Sequence, residues 1–282
     1  MNAVSGNIAI FVPHSGCPQQ CSFCNQKTIS GTQNPPTGEE AAQLCKDALA
    51  GLPTSLGQVE IAFFGGSFTA IPREYMMELL AAVQPYLSDS RVKGIRLSTR
   101  PDAIDRRRLD ILQSYGVTAI ELGAQSMDDR VLAMNRRGHT AQSVRDASAL
   151  IKEYGFSLGL QMMTGLYGAD EASDYATGLE LCALSPDTVR IYPTVLLEGT
   201  QLAEEFRRGS YTPPTVEQTI PLCVRLLELF ESRHIKIIRL GLQASETLSA
   251  QVLGGCYHPA LGELCQGERY YNNMLAEIQQ MG

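Results

Sequence analysis

A chain of 282 residues lies near the upper end of what one hydrophobic core can serve, a length that a single α/β barrel reaches. Its 44% hydrophobic and 19% charged residues exclude wholesale disorder, and its formal charge of −7 argues against a strong autonomous grip on a nucleic-acid backbone except through a local basic patch. No apolar run approaches the roughly 20 residues of a membrane span, and Met1–Val12 carries neither a basic stretch nor a small-residue cleavage site, so the sequence reads as a cytoplasmic protein with no membrane partner.

Short β-rich runs alternate with longer amphipathic ones along the chain. The first strand is expected at Asn7–Val12, followed by a cysteine-rich loop and a local connection over Ser30–Pro36. Thr37-Gly38-Glu39-Glu40 reads as a capping box that opens a helix to about Ala50. A second strand, Val59–Phe64, ends on Gly65-Gly66, and Pro72, whose missing N–H is harmless there, starts a helix over Arg73–Leu87. Strands at Gly94–Ser98 and Ala119–Leu122 flank a helix capped by Asp102 or Asp105 and closed by Gly116. Thr140 precedes a helix over Ala141–Tyr154 closed by Gly155, and strands follow at Phe156–Met162 and Thr188–Tyr192. After a turn at Gly209–Pro214, Thr215 and Gln218 form a second capping box before a helix at Ile220–Arg233 and a strand at Ile235–Leu240. Short apolar strands separated by helices imply a parallel sheet with right-handed crossovers. The expected fold is therefore α/β, a TIM-like partial barrel with its chemistry at the C-terminal ends of the strands.

The loop after the first strand reads Pro13-His14-Ser15-Gly16-Cys17-Pro18-Gln19-Gln20-Cys21-Ser22-Phe23-Cys24. Eight cysteines in a reducing compartment point to metal ligation or buried thiols before disulfides. A cubane normally takes four thiolates, so three thiols in eight residues suit an iron–sulfur cluster with one iron left open to a ligand. Zinc with His14 as fourth ligand, or three buried thiols, stand beside that reading, although the second half of a zinc-finger pattern is missing nearby. Cys45, Cys182 and Cys223 fall in helix-like segments and read as apolar packing. Cys256 and Cys265, even with His258, are too few ligands for a second cluster and read as part of a structural cap.

The run Cys-Pro-Gln-Gln-Cys-Ser-Phe-Cys, with an aromatic before its last cysteine, resembles the signature of the radical S-adenosylmethionine (SAM) superfamily. The resemblance implies a [4Fe–4S] cluster on Cys17, Cys21 and Cys24. SAM would bind the open iron through its amino and carboxylate groups and be cleaved reductively to methionine and a 5′-deoxyadenosyl radical. Ser98-Thr99-Arg100-Pro101-Asp102, Glu121-Leu122-Gly123-Ala124-Gln125-Ser126, Arg137-Gly138-His139-Thr140, Tyr192-Pro193-Thr194 and Gly199-Thr200 follow in the family's order. Over approximately residues 8 to 243 they resemble the radical SAM domain of the Elongator catalytic subunit and its shorter bacterial relatives. The implied fold is the radical SAM partial barrel, of (β/α)6 type, over residues 1–243, with residues 244–282 as a small C-terminal helical extension packing on it.

The same resemblance implies SAM contacts at Gly65, Gly66 and Ser67, where Ser67 replaces the family's acid, with Gln125 and Arg137 facing the methionine moiety. Ser98 occupies a position where many relatives hold the ribose with an acid, and Gln161 another that is acidic in several relatives. Phe23 is placed to pack near the adenine or in the core. Strand alternation puts Glu121 on the same side as Gly123 and Gln125. It is a candidate for SAM or substrate contact, or a structural carboxylate held by Arg96 or Arg190. Tyr192 is open in the same way between adenine contact and packing, and Glu121 and Tyr192 are the candidate catalytic residues.

Implied partners are SAM, an electron donor such as ferredoxin or flavodoxin, and transfer RNA, whose wobble uridine would be modified. The 282 residues leave no room for the acetyltransferase domain of the Elongator subunit. A small metabolite or a protein is therefore the alternative substrate, and a non-catalytic cluster- or SAM-binding module the alternative class. Arg207-Arg208, beside Gly209-Ser210-Tyr211, is the expected RNA patch, whereas Arg106-Arg107-Arg108 reads as a solvated helix face.

Overall fold

A computed structural model of the protein describes residues 6–13, 17, 20–25, 29, 34–53 and 58–281. A seven-stranded sheet has the order β1 (Gly6–Phe11), β2 (Val59–Phe64), β3 (Val92–Thr99), β4 (Val117–Gln125), β5 (Ser157–Thr164), β6 (Thr188–Pro193) and β8 (Lys236–Leu240). The pairs β1–β2, β2–β3, β3–β4 and β6–β8 are parallel. The helices are α1 (Gly38–Gly51), α2 (Arg73–Val83), α3 (Arg106–Ser114), α4 (Asp129–Met134), α5 (Ala141–Glu153), α6 (Glu171–Ala183), α7 (Gln201–Arg207), α8 (Val216–Ser232), α9 (Glu246–Ser249) and α10 (Leu261–Met281).

The capping boxes at Thr37/Glu40 and Thr215/Gln218 form as expected, and Asp105, not Asp102, caps α3. The helix expected over Arg73–Leu87 stops at Val83, and a 3₁₀ turn containing Pro85 completes it, since Pro85 has no N–H to continue the α ladder. Strands β3 and β4 outrun their apolar cores by one to three residues at each end, because ladder hydrogen bonds with neighbours extend past the hydrophobic signal. Of the expected Ser30–Pro36 connection, residues 30–33 lie outside the described residues.

The chain divides into two compact units: Met1–Pro18, Gln26–Gly123 and Gln142–Gly159 in the first, and Gln19–Asn25, Ala124–Ala141 and Leu160–Gly282 in the second. In the first, Ile61, Phe63, Ile95, Leu97, Ile120 and Leu122 bury one side of the strands, and Leu79, Leu80, Leu109 and Leu112 bury stripes of α2 and α3. Each such side chain contributes about 1.5–3 kcal/mol. The opposite side of the same strands carries Glu60, Arg96, Ser98 and Glu121, so alternation separates an apolar face from a polar one.

The second unit holds an antiparallel ribbon that the sequence pattern did not suggest, β7 (Val195–Leu197) with β9 (Val252–Gly255). Gly255 is obligatory there: its φ is 87°, and a Cβ would lie 2.6 Å from the Thr194 carbonyl oxygen. Cys223 of α8, Cys256 and Cys265 of α10 share one buried apolar cluster with Val224, Leu227 and Leu261. A hydrogen bond to Cys265, and burial, push the Cys223 thiol up, and burial pushes Cys256 up to about 11. Inert protonated thiols of this kind serve as small hydrophobes. Among the described residues no helix is long and apolar enough to cross a membrane.

Candidate functional site

In the first unit, β2 delivers Gly65, Gly66 and Ser67 to the C-terminal end of the strands. Gly65 takes a φ of 100°, which no L side chain adopts without strain, and a Cβ there would meet the Val12 amide nitrogen at 3.4 Å. Ser67 is buried, lies 3.0 Å from Thr99 Oγ1 and accepts from the Arg100 amide at 3.0 Å, tying the glycine turn to the end of β3. Ser98 is half-buried and in register with Glu121. Glu121 is 1% exposed and receives Arg96 Nη1 at 3.1 Å, while Arg96 Nε donates to Glu60 Oε2 at 2.8 Å. Of the two guanidiniums considered for Glu121, Arg96 is thus seated on it. A buried carboxylate needs such a partner.

In the second unit, Cys21 is buried and Cys24 half-buried; Cys17, in the first unit, is exposed. Cys24 N donates to the Cys21 carbonyl at 3.1 Å and Gln20 Nε2 to the Cys24 carbonyl at 3.1 Å. Asn135, the C-cap of α4, grips the intervening Ser22: its carbonyl accepts the Ser22 amide at 3.1 Å and its Oδ1 the Ser22 hydroxyl at 2.7 Å. The Asn135 amide in turn donates to the Val131 and Tyr167 carbonyls, both at 2.8 Å. Leu202 of α7 donates its amide to the Ser22 carbonyl at 2.7 Å. Phe23 packs against a buried cluster of Leu196, Leu202, Ala203 and Tyr211, the core role of the two considered for it.

Helix α4 ends in a Schellman turn, with Arg136 at φ 54° donating to the Ala133 carbonyl and Arg137 to that of Leu132. The turn presents the buried Arg137 side chain, whose Nη1 donates to Cys21 Sγ at 3.1 Å. Gln125 closes β4 at φ 66° in a γ-turn, the Ser126 amide returning to the Ala124 carbonyl at 2.9 Å. Such backbone is strained for a residue with a Cβ, and strain of this kind gathers at functional sites. The Gln125 amide is 9% exposed, and its Oε1 has no hydrogen-bond partner among the described residues. An orphaned buried acceptor suits a donor from a bound ligand.

Gln161 of β5 and Tyr192 of β6 lie on the half-buried side of their strands, alternating with buried Leu160, Met162 and Ile191. Just beyond β5, Asp174 Oδ2 accepts the Gly165 amide at 2.7 Å. Burial pushes this carboxyl up to about 7, against the Gly165 hydrogen bond that favours its ionised form; nearby Asp170 adds a smaller upward push. Arg207 is neutralised by Glu198 at 2.6 Å and Glu204 at 2.7 Å, and Arg208 faces Glu205 at 3.8 Å, so the expected RNA patch is not a free positive surface.

Sequence reasoning missed Asn135 and His139 as positioning residues. His139 is buried with Nε2 3.2 Å from the Ala124 carbonyl, bracing the Gln125 turn. Their signal was the segment around Arg137, read only for its arginine and for Thr140 ahead of the next helix. His14, weighed as a zinc ligand, lies outside the described residues. Among the described residues no three His, Cys, Asp or Glu side chains are gathered closely enough to hold a metal ion. The soft thiol donors, the cation on Cys21 and the orphaned Gln125 acceptor are compatible with a cluster and a polar cofactor.

The family model of the radical SAM superfamily matches residues 11–175, and that of the Radical_SAM C-terminal domain residues 186–271. Elongator complex protein 3 of Mus musculus is 29% identical over 255 residues, covering 80% of this chain and 46% of its own. The tRNA uridine(34) acetyltransferase of Dehalococcoides mccartyi is 25% identical over 285 residues, covering 84% of this chain and 61% of its own. The chain thus spans about half the length of the curated relatives it matches. The structure of Methanocaldococcus infernus Elp3 with an N-terminal deletion superposes with a TM-score of 0.74 at 21% identity, over 97% of this chain and 64% of that one. That likeness establishes the fold class as the α/β partial barrel of the radical SAM kind. With the first model spanning more than half of the residues, and the cysteine run lying within it, the chain belongs to the radical SAM superfamily.

Proposed function

We propose that the protein is a radical SAM enzyme acting on the wobble uridine of a transfer RNA, with a [4Fe–4S] cluster on Cys17, Cys21 and Cys24 and an external one-electron donor of the ferredoxin or flavodoxin kind. When bound, the cluster and SAM supply reductive cleavage of SAM and a carbon radical able to take hydrogen from an unactivated C–H bond. The protein's own residues hold and orient them. Asn135 and Leu202 fix the backbone between Cys21 and Cys24, and the buried Arg137 guanidinium sets a positive charge beside Cys21 that suits the thiolate ligands and the SAM carboxylate. Gln125 offers Oε1 to the SAM amino group, and Gly65, Gly66 and Ser67 give a backbone that a polar ligand approaches closely. Ser98 and Gln161 complete the polar contacts. Glu121, its charge shared with Arg96, and Tyr192 line the substrate side. The observation that carries the reading is the Arg137 guanidinium on Cys21 Sγ, a buried cation directed at one thiol of the triplet.

Anaerobic reconstitution should load about four irons and four sulfides per chain. Ala at Cys17, Cys21 or Cys24 should abolish loading, and Ala at Cys45 should not. With dithionite, the loaded protein should form 5′-deoxyadenosine. One zinc per chain with no recoverable iron would overturn the cluster assignment. Unchanged wobble uridines in transfer RNA from a deletion strain would overturn the substrate.

A further inference from the structure

In the first unit, a cleft of about 260 Å³ opens between the first turns of α2 and α3, its floor apolar (Ile71, Met76 and Ile111) and its polar lining Thr69, Arg73, Asp105, Arg107 and Arg108. Three of the eight lining side chains are arginines, in a chain of net charge −7. Asp105 is already satisfied: it caps α3 by accepting the Arg108 amide at 2.8 Å, and it pairs with the Arg108 guanidinium. Arg108 also donates Nε to the Thr69 carbonyl at 2.8 Å, which fixes its position on the cleft wall. Arg73 and Arg107 are exposed and have no acidic partner among the described residues. The first turn of α2 adds to the positive potential, because its N-cap is Pro72 and no side chain caps it. Glu74, in the same turn, does not line the cleft.

The cleft is tied to the glycine turn. Thr69 Oγ1 lies 2.6 Å from Thr99 Oγ1, the hydroxyl that Ser67 also meets at 3.0 Å. A lining side chain of the cleft is thus linked through Thr99 to Ser67, the residue that follows Gly65 and Gly66.

We propose that this cleft binds a phosphate group, the phosphodiester of an RNA substrate, and so anchors the strand whose base enters the site; this rests on the RNA reading above. Two free guanidiniums on separate helices, with a third held in place, suit the oxygens of a phosphodiester. Both free arginines stand open to solvent, so the grip is weak for a small phosphorylated metabolite and sufficient for a polymer that is held elsewhere as well. The triplet Arg106-Arg107-Arg108 is then a divided surface. Arg106 is spent on Glu153 at 2.7 Å, and Arg107 and Arg108 turn to the cleft.

The test is binding of an unmodified transfer RNA transcript to the full-length, anaerobically purified protein across a salt series. Wild type, Arg73→Gln with Arg107→Gln, and Arg207→Gln are compared, the last removing a charge already paired with Glu198. The double variant should bind several-fold more weakly at low salt, and its log–log salt slope should be shallower by about one for each phosphate that it no longer neutralises. Arg207→Gln should leave both unchanged. Identical affinity and slope in the double variant, or an equal loss in Arg207→Gln, would overturn the cleft while leaving the RNA reading standing. A wild type that ignores the transcript yet binds inorganic phosphate through Arg73 and Arg107 would overturn the RNA occupant. The deletion-strain analysis of wobble uridines reports on the RNA reading separately.

Discussion

Gln125 is held where glycine would be cheaper. A left-handed residue with a Cβ costs about 1–2 kcal/mol, and this one also buries an amide oxygen without a partner. Gln125→Gly should therefore raise stability by up to about 1 kcal/mol while weakening SAM binding roughly fivefold, the worth of one hydrogen bond. Melting and equilibrium SAM binding on the loaded protein would measure the two together, and SAM affinity equal to wild type would remove Gln125 from the site. Asp174 has the opposite character, a carboxyl buried for structure at a cost in charge. Its folded pKa, about 7, lies above its ordinary value near 3.8, so the native state keeps a proton that the unfolded chain gives up. Its contribution is complete below about pH 4, is lost as pH rises through 7, and leaves a constant deficit on the order of 4 kcal/mol above that. Asp174→Asn keeps an acceptor for the Gly165 amide and cannot ionise. It should flatten the pH dependence of melting between 4 and 7 and melt higher than wild type at pH 8; an unchanged profile would show that the carboxyl stays ionised in the fold.

The end of α4 governs the cysteine loop more than the loop governs itself. Through Asn135 it makes five hydrogen bonds to Ser22, Val131 and Tyr167, and through its Schellman turn it aims Arg137 at Cys21. Asn135→Ala should cost about 2–3 kcal/mol in stability, since it strands buried partners, and lower the iron retained per chain after desalting. Full iron retention with a lowered melting temperature would reduce Asn135 to a structural role. Elements of this kind were the hardest to read. Helices α1, α3, α5 and α8 announced themselves through caps and a 3.6-residue stripe, and the sheet strands through short apolar runs. Helices α4 and α7 span only 6 and 7 residues, too short for a periodic stripe, and α6 went unread despite its Asp170/Ser173 capping box. The β7–β9 ribbon has 3 and 4 residues, and its pairing depends on Gly255 passing close to the Thr194 carbonyl, which no local pattern encodes.

Across the whole chain, the strand order and the cysteine triplet were legible because both are local in sequence. The grip on that triplet was not, because its partners lie far along the chain: Asn135 is 113 residues from Ser22, and Arg137 is 116 from Cys21. The acidic total charge hid the cleft at α2 and α3 for the same reason, since its arginines come from two helices. The long reach to Asn135 also orders events during synthesis. A ribosome adds residues at roughly 5–20 per second, so Cys21 and Cys24 leave it on the order of ten seconds before the helix end that grips their loop exists. The amide of Leu202, which closes on Ser22, comes later still. The thiols therefore spend their first seconds on an unlocked loop, open to metal or oxidant, and protection begins only when the end of α4 has folded back onto them.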